Sequence, residues 1–192
     1  MQAKALIRET YDPVPYIREK YRQVTLEPDK LGRFQKIIMI TDGTLTKILE
    51  AYLNEELNVV KLAENTVPSA RIILPLKINA GRNIIERKIL LQGKTSRKNW
   101  LYAESFIVPD RLDDKFKEKL LVTGEPIGKL WLEYRMEIFK EIISSARETA
   151  GDLSEYFEIE AEDMLLCRTY RVFSGRKPIM MITEKFPECY FQ

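Results

Sequence analysis

The chain has 192 residues, 45% of them hydrophobic, which is enough for one domain with a real core and too few for two comfortable ones. The net charge of +2 comes from 31 basic and 29 acidic residues spread along the chain, which argues against a nucleic-acid tail or a strong electrostatic footprint. There is no histidine, so imidazole bases, His-based triads and His zinc sites are excluded together. Chemistry must therefore come from carboxylates, Arg, Lys, Tyr, Cys or backbone groups. Cys167 and Cys189 are too few for a metal cluster, and a reducing compartment is the default. The opening MQAKALIRETYDP has no apolar signal core, and no apolar run reaches membrane length. The expected location is cytoplasmic, with no membrane or nucleic-acid partner.

Residues 1–26, broken by Pro13 and Pro15, read as an N-terminal arm, and residues 27–192 as the domain. Pro28-Asp29-Lys30 starts a helix carried by Leu31, Phe34, Ile37, Ile38 and Ile40. Thr41-Asp42-Gly43 ends it, and Thr44 or Thr46 starts a second through Leu53. That sharp corner leaves backbone groups without helical partners and suits a ligand-facing lid. Strand signals follow at 57–62, 70–78, 84–92 and 100–108, with Pro75 marking an edge or bulge in the second. A short helix is expected over 115–121. A long one is expected from Ile127 to about Glu148, because Ile127, Trp131, Tyr134, Ile138 and Ile142 recur at steps of three or four. Residues 152–164 are acidic and irregular. The stretch LLCRTYRVFSGRKPIMMITEKFP then reads as a closing hairpin turning at Ser174-Gly175-Arg176-Lys177. The expected fold class is α+β: a single six-stranded antiparallel sheet with helices packed on one face.

Counting in twos exposes charges on apolar strand faces. Glu184 shares a face with Phe186, Ile182, Met180 and Pro178. Arg87 shares one with Ile85, Ile89 and Leu91, and Glu104 one with Trp100, Tyr102, Phe106 and Val108. A carboxylate in an apolar row needs a partner or a job. The bland possibility is that Arg87 and Glu184 pair with each other in a closed core. In the functional one, Arg87 holds a ligand carboxylate through its planar fork and Glu184 handles a proton at the ligand's other end. Gly124 and Gly128 bracket Pro126-Ile127 at a helix start, where free N–H groups favour anions. Either Arg168 or Arg171 can face such a site, and the alternation leaves the choice open.

Four stretches, in order, resemble the chorismate pyruvate-lyase family in its archaeal and bacterial branch. They are ITDGTLTKILEAY, IIERKILLQ with WLYAESFIVP, GEPIGKLW, and the closing hairpin. The resemblance spans about residues 28–191. It implies a six-stranded antiparallel sheet with helices against it, and elimination of pyruvate from chorismate to leave 4-hydroxybenzoate. No metal or organic cofactor is implied; the partner is a small aromatic carboxylate. By resemblance Arg87 takes the ring carboxylate with help from the backbone at Ile127 and Gly128. Glu184 sits by the 4-oxygen, and the backbone near Leu45 closes the pocket, so the implied catalytic residues are Glu184 and Arg87. The arm 1–26 has no clear counterpart, the 93–99 loop and 152–164 look longer than in the best-known lyases, and Leu45 stands where those more often have Met. The same fold serves as the effector-binding domain of GntR-type regulators, so a non-catalytic small-carboxylate binder is the alternative. A lone domain of this kind can be monomeric.

Overall fold

The computed structural model describes residues 24–26, 28–123 and 125–191. Apart from Val24–Leu26, the arm expected over 1–26 lies outside them, as does Gly124. Strand β1 (Val24–Thr25) and a 3-10 turn at Pro28–Lys30 lead into helices α1 (Arg33–Ile40) and α2 (Leu45–Leu53). Strands β2 (Leu57–Pro68), β3 (Asn83–Gly93) and β4 (Asn99–Ile107) follow, then α3 (Asp114–Val122) and α4 (Ile127–Glu133). Strand β5 (Phe139–Thr149), the one-turn helix α5 (Ser154–Phe157), and strands β6 (Met164–Ser174) and β7 (Lys177–Pro187) complete it.

The sheet order is β1-β5-β6-β7-β4-β3-β2, antiparallel throughout. Two three-stranded meanders, β2-β3-β4 and β5-β6-β7, thus meet where β4 pairs with β7, and β1 adds a two-residue edge. Local chemistry sets the turns. Gly175 and Arg176 are both left-handed, at φ 53° and 65°, which gives the β6–β7 hairpin the twist its strands require. Asp113 caps α3 by accepting from the N–H groups of Lys115 and Phe116.

Helices α1 to α4 cover one sheet face. Ile38 and Met39, Leu45 and Leu49, Phe116 and Leu120, and Leu130 and Trp131 pack there on Ile85, Leu101, Ile182 and Phe186. The other face carries two smaller cores. One is closed by the 69–82 segment through Ile73, Leu76 and Ile78, and the other by α5 through Leu153 and Phe157.

Two expected elements differ. Residues 70–78 form no strand: Leu74–Leu76 make a 3-10 turn, Lys77 is left-handed at φ 51°, and Ile73 and Ile78 bridge each other. Pro75 has no N–H to give a ladder, and the segment folds back as a lid on the second core. The long helix expected over 127–148 ends at Glu133, and Arg135 turns left-handed at φ 49°. From Phe139 onward the chain is β5, where Ile142, Ile143, Ser144 and Ser145 favour strand over helix. A bulge between Ile142 and Ser144 breaks the alternation that would have marked it. Six long strands result, as expected, but β5 takes the place of 70–78.

Beneath α5, Lys185 and Glu148 form a fully buried ion pair at 2.6 Å, with Cys167 beside Lys185 in the register. Burial alone would lower the Lys185 pKa, but the Glu148 carboxylate outweighs it and holds the ammonium above its usual value. Burial and the same carboxylate push the Cys167 thiol well up. Breaking such a pair costs far more than replacing it. Lys185→Met alone is expected to lose about 3–5 kcal/mol in urea unfolding, while Lys185→Met with Glu148→Leu recovers most of it. Equal losses in the single and double variants would show that the pair carries no coupling.

Candidate functional site

The site lies under α2 and α4 on the helix-covered face, where strands β3, β4 and β7 run side by side. The register places Arg87 opposite Ser105, Ser105 opposite Ile182, and Ala103 opposite Glu184. Arg87 and Glu184 therefore lie on a diagonal across one intervening strand, in the neighbouring same-face rows of Ser105 and Ala103. The side chains of β4 between them are the small Ala103 and Ser105. A cavity follows from that gap, with about 430 Å³ of empty space, part of it open to solvent. Its floor is Ala103 and Ser105. Ile89, Leu101 and Ile182 are apolar walls, and Thr46, Pro126 and Ile127 form the roof.

Arg87 is 4% exposed. Its Nε lies 3.3 Å from Glu64 on β2, the residue directly across the ladder, and Glu64 is shared with Lys61 at 2.6 Å. Among the described residues Arg87 Nη2 is buried without a hydrogen-bond partner. Desolvation lowers the Arg87 pKa, with Glu64 opposing, although a guanidinium stays charged at any ordinary pH. A buried cation with an unused donor beside a cavity is an anion site in waiting.

Glu184 stands at the other end. Arg168 Nε donates to its Oε2 at 2.6 Å, and Tyr170 OH donates to its Oε1 at 2.9 Å. Both carboxyl oxygens are thus engaged, one by each donor. Burial and the Glu184 charge push the Tyr170 pKa well up, with Arg168 opposing. Arg87 and Glu184 thus do not pair with each other; each has its own partner and both line the same cavity. The two arginines left open by alternation lie on opposite faces, and neither lines the cavity itself. Arg168 shares the face of Glu184, whereas Arg171 binds Glu141 at 2.7 Å and the Pro75 carbonyl on the far side.

The roof joins two helix starts. Leu45 and Thr46 occupy the first turn of α2, and Ile127 and Gly128 the first turn of α4, where N–H groups lack intrahelical partners. The Leu45 side chain enters the core, while Thr46 faces the cavity. Ile127 lines the cavity. Gly128 is buried, and a Cβ there would meet Thr44 Cγ2 at 2.9 Å, so glycine allows the two helices to close together. From β5, Lys140 Nζ donates to the Gly43 carbonyl at 2.5 Å and lies over the rings of Trp131 and Tyr170. Desolvation lowers the Lys140 pKa, opposed by Glu184.

Alternation along single strands singled out Arg87 and Glu184, left Arg168 and Arg171 as alternatives, and missed the role of Tyr170, Lys140 and the small floor. Strand pairing supplies these, and the one signal for the floor was two small residues, Ala103 and Ser105, two apart in an otherwise bulky strand.

The profile of the family described as Chorismate pyruvate-lyase Rv2949c-like matches residues 39–191. A chorismate pyruvate-lyase from Mycobacterium leprae is 34% identical over 168 residues, 85% of this chain and 78% of that protein. One from Mycobacterium tuberculosis is 30% identical over 172 residues, 85% and 84% of the two chains. Among solved structures, PhnF from Mycobacterium smegmatis superposes with a TM-score of 0.61 at 10% identity, over 80% of this chain and 67% of that one. At that identity the likeness shows the fold alone. With a matching profile over most of its length and relatives at 30–34% identity, the chain belongs to the Rv2949c-like chorismate pyruvate-lyase family.

Proposed function

We propose that this protein eliminates pyruvate from chorismate, leaving 4-hydroxybenzoate, with Arg87 and Glu184 at the two ends of the substrate ring. The observation that carries the reading is the pair of opposed charges, an Arg with a buried unused donor and an acceptor carboxylate, across a floor of Ala103 and Ser105. Aliphatic walls suit a flat ring, and the guanidinium suits its carboxylate.

In the reaction the bond from the ring to the enolpyruvyl oxygen breaks, the C4–H bond breaks, and the ring becomes aromatic while keeping its C4 hydroxyl. The enolpyruvate takes up a proton at its methylene carbon and ends as pyruvate. Aromatisation supplies the driving force. The protein has to fix the ring, exclude water and manage one proton. Arg87 anchors the ring carboxylate, with the first-turn N–H groups at Ile127 and Gly128 above it. Glu184 accepts at both oxygens, which fits a base that removes the C4 proton better than an acid that protonates the leaving oxygen. Thr46 and the backbone beside Leu45 close the roof.

Incubation with chorismate is expected to yield pyruvate and 4-hydroxybenzoate in equal amounts, followed by absorbance. Glu184→Gln should lower kcat by about 10²–10⁴-fold while leaving 4-hydroxybenzoate affinity nearly intact. Arg87→Ala should weaken that affinity by about tenfold or more, the worth of a charge-assisted pair. Binding of 4-hydroxybenzoate with no pyruvate release by the unaltered protein would point instead to a non-catalytic carboxylate binder. A second prediction concerns the floor. Ala103→Leu fills the space between the charges and should reduce kcat/KM by at least about a hundredfold, at a stability cost of about 1–3 kcal/mol from overpacking. An Ala103→Leu protein that turns over chorismate normally would place the ring elsewhere.

A further inference from the structure

Glu184 does not stand by itself in the sheet. Directly across the β6–β7 ladder lies Arg168, 1% exposed, and two residues on lies Tyr170. Each takes one oxygen of the carboxylate. Arg168 then uses its Nη1 in the opposite direction, donating to the carbonyls of Ile38 and Thr41. Those carbonyls belong to the C-terminal end of α1, where the helix stops and cannot satisfy them itself. One guanidinium therefore braces the carboxylate on one side and the corner between α1 and α2 on the other. That corner runs directly into Thr46 of the cavity roof. Lys140 secures the same corner at Gly43.

Substrate contact does not account for Arg168. A buried ion pair is on average no more stable than apolar residues of the same volume, and among the described residues its Nη2 is left without a hydrogen-bond partner. Arg168 does not line the cavity, so it acts through Glu184; Tyr170 does line it, with its hydroxyl committed to the Glu184 carboxylate. The charged and titratable groups around that carboxylate are Arg168 and Tyr170 from β6, Lys140 from β5 and Arg87 across the cavity from β3.

We propose that Arg168 and Tyr170 are positioning residues for the elimination: they hold Glu184 as a carboxylate aimed at the C4 proton and lock its orientation to the corner that roofs the cavity. Two donors from fixed directions leave the carboxylate one orientation. The planar guanidinium holds its two targets in opposite directions at a fixed geometry, which the rotatable point charge of an ammonium does not. The assignment rests on the lyase reading above.

The test compares Arg168→Gln, Arg168→Lys and Tyr170→Phe with the unaltered protein in steady-state chorismate turnover, in 4-hydroxybenzoate binding and in thermal melting. Arg168→Gln is expected to lower kcat by about 10²-fold with KM nearly constant, the cost of misplacing a reacting group by about 1 Å. Arg168→Lys should regain part of that loss, because it restores the charge but not the fork. Tyr170→Phe removes one hydroxyl from intact packing, so it decides the matter even where an Arg168 variant fails to fold. It should lower kcat by about tenfold, with 4-hydroxybenzoate affinity nearly constant and the melting temperature lower by only about 2–6 °C, the stability cost of one lost buried hydrogen bond. Full kcat in Tyr170→Phe, or a loss in the Arg168 variants that falls on KM and product affinity instead of kcat, overturns the assignment while leaving the lyase reading intact. An unaltered protein that releases no pyruvate overturns both.

Discussion

The pairing of β4 with β7 is the constraint on which the rest depends. It joins the two meanders into one sheet, and its register sets Ala103 against Glu184 and Ser105 against Ile182. Side chains alternate faces along a strand, so a slip of one residue would exchange Glu184 for Lys185 beside the cavity. Both neighbours resist that slip. Lys185 is committed beneath α5 to Glu148, and Glu184 to Arg168 and Tyr170. Two buried ion pairs on opposite faces of one strand thus specify a single register.

The fold class was legible because most strands carry a strong apolar signal. The β3 and β4 segments alternate in part, β7 is an apolar run buried on both faces, and the turn residues Gly175 and Arg176 sit where the hairpin needs left-handed backbone. The failures have local causes. Residues 70–78 are as apolar as a strand, but their ends bridge each other around Pro75 instead of joining a neighbour. From α4 into β5, Trp131, Tyr134, Ile138 and Ile142 keep helical spacing across a boundary that the left-handed Arg135 imposes. Spacing records which face is apolar, and two consecutive short elements can mimic one long one.

The site was half legible for a related reason. Arg87 and Glu184 stood out within their own strands, since charge on an apolar face needs no knowledge of partners. Arg168 did not, because it depends on hairpin register. Counting back from the pair Ser174–Lys177 sets Glu184 against Cys167, on the face of Arg171. The actual ladder shifts by one residue between Val172 and Phe173, where Ile179 is the extra residue, and Glu184 meets Arg168 instead. A bulge of this kind re-aims side chains without leaving a plain mark in composition.

The outer edge of the sheet carries a consequence of its own. Strand β2 is long and lies at the margin, where a row of unpaired backbone groups invites a neighbouring chain. Its ladder shifts between Lys61 and Ala63, Lys61 projects charge midway along it, and Pro68 ends it without an N–H to offer. The ion pair of Lys61 with Glu64, which also steadies Arg87 from behind, therefore lies in the part of the edge least able to accept a foreign strand. Protection against aggregation and support of the anion-binding arginine fall on the same few residues, so changes there to make the protein more soluble would also be changes to its site.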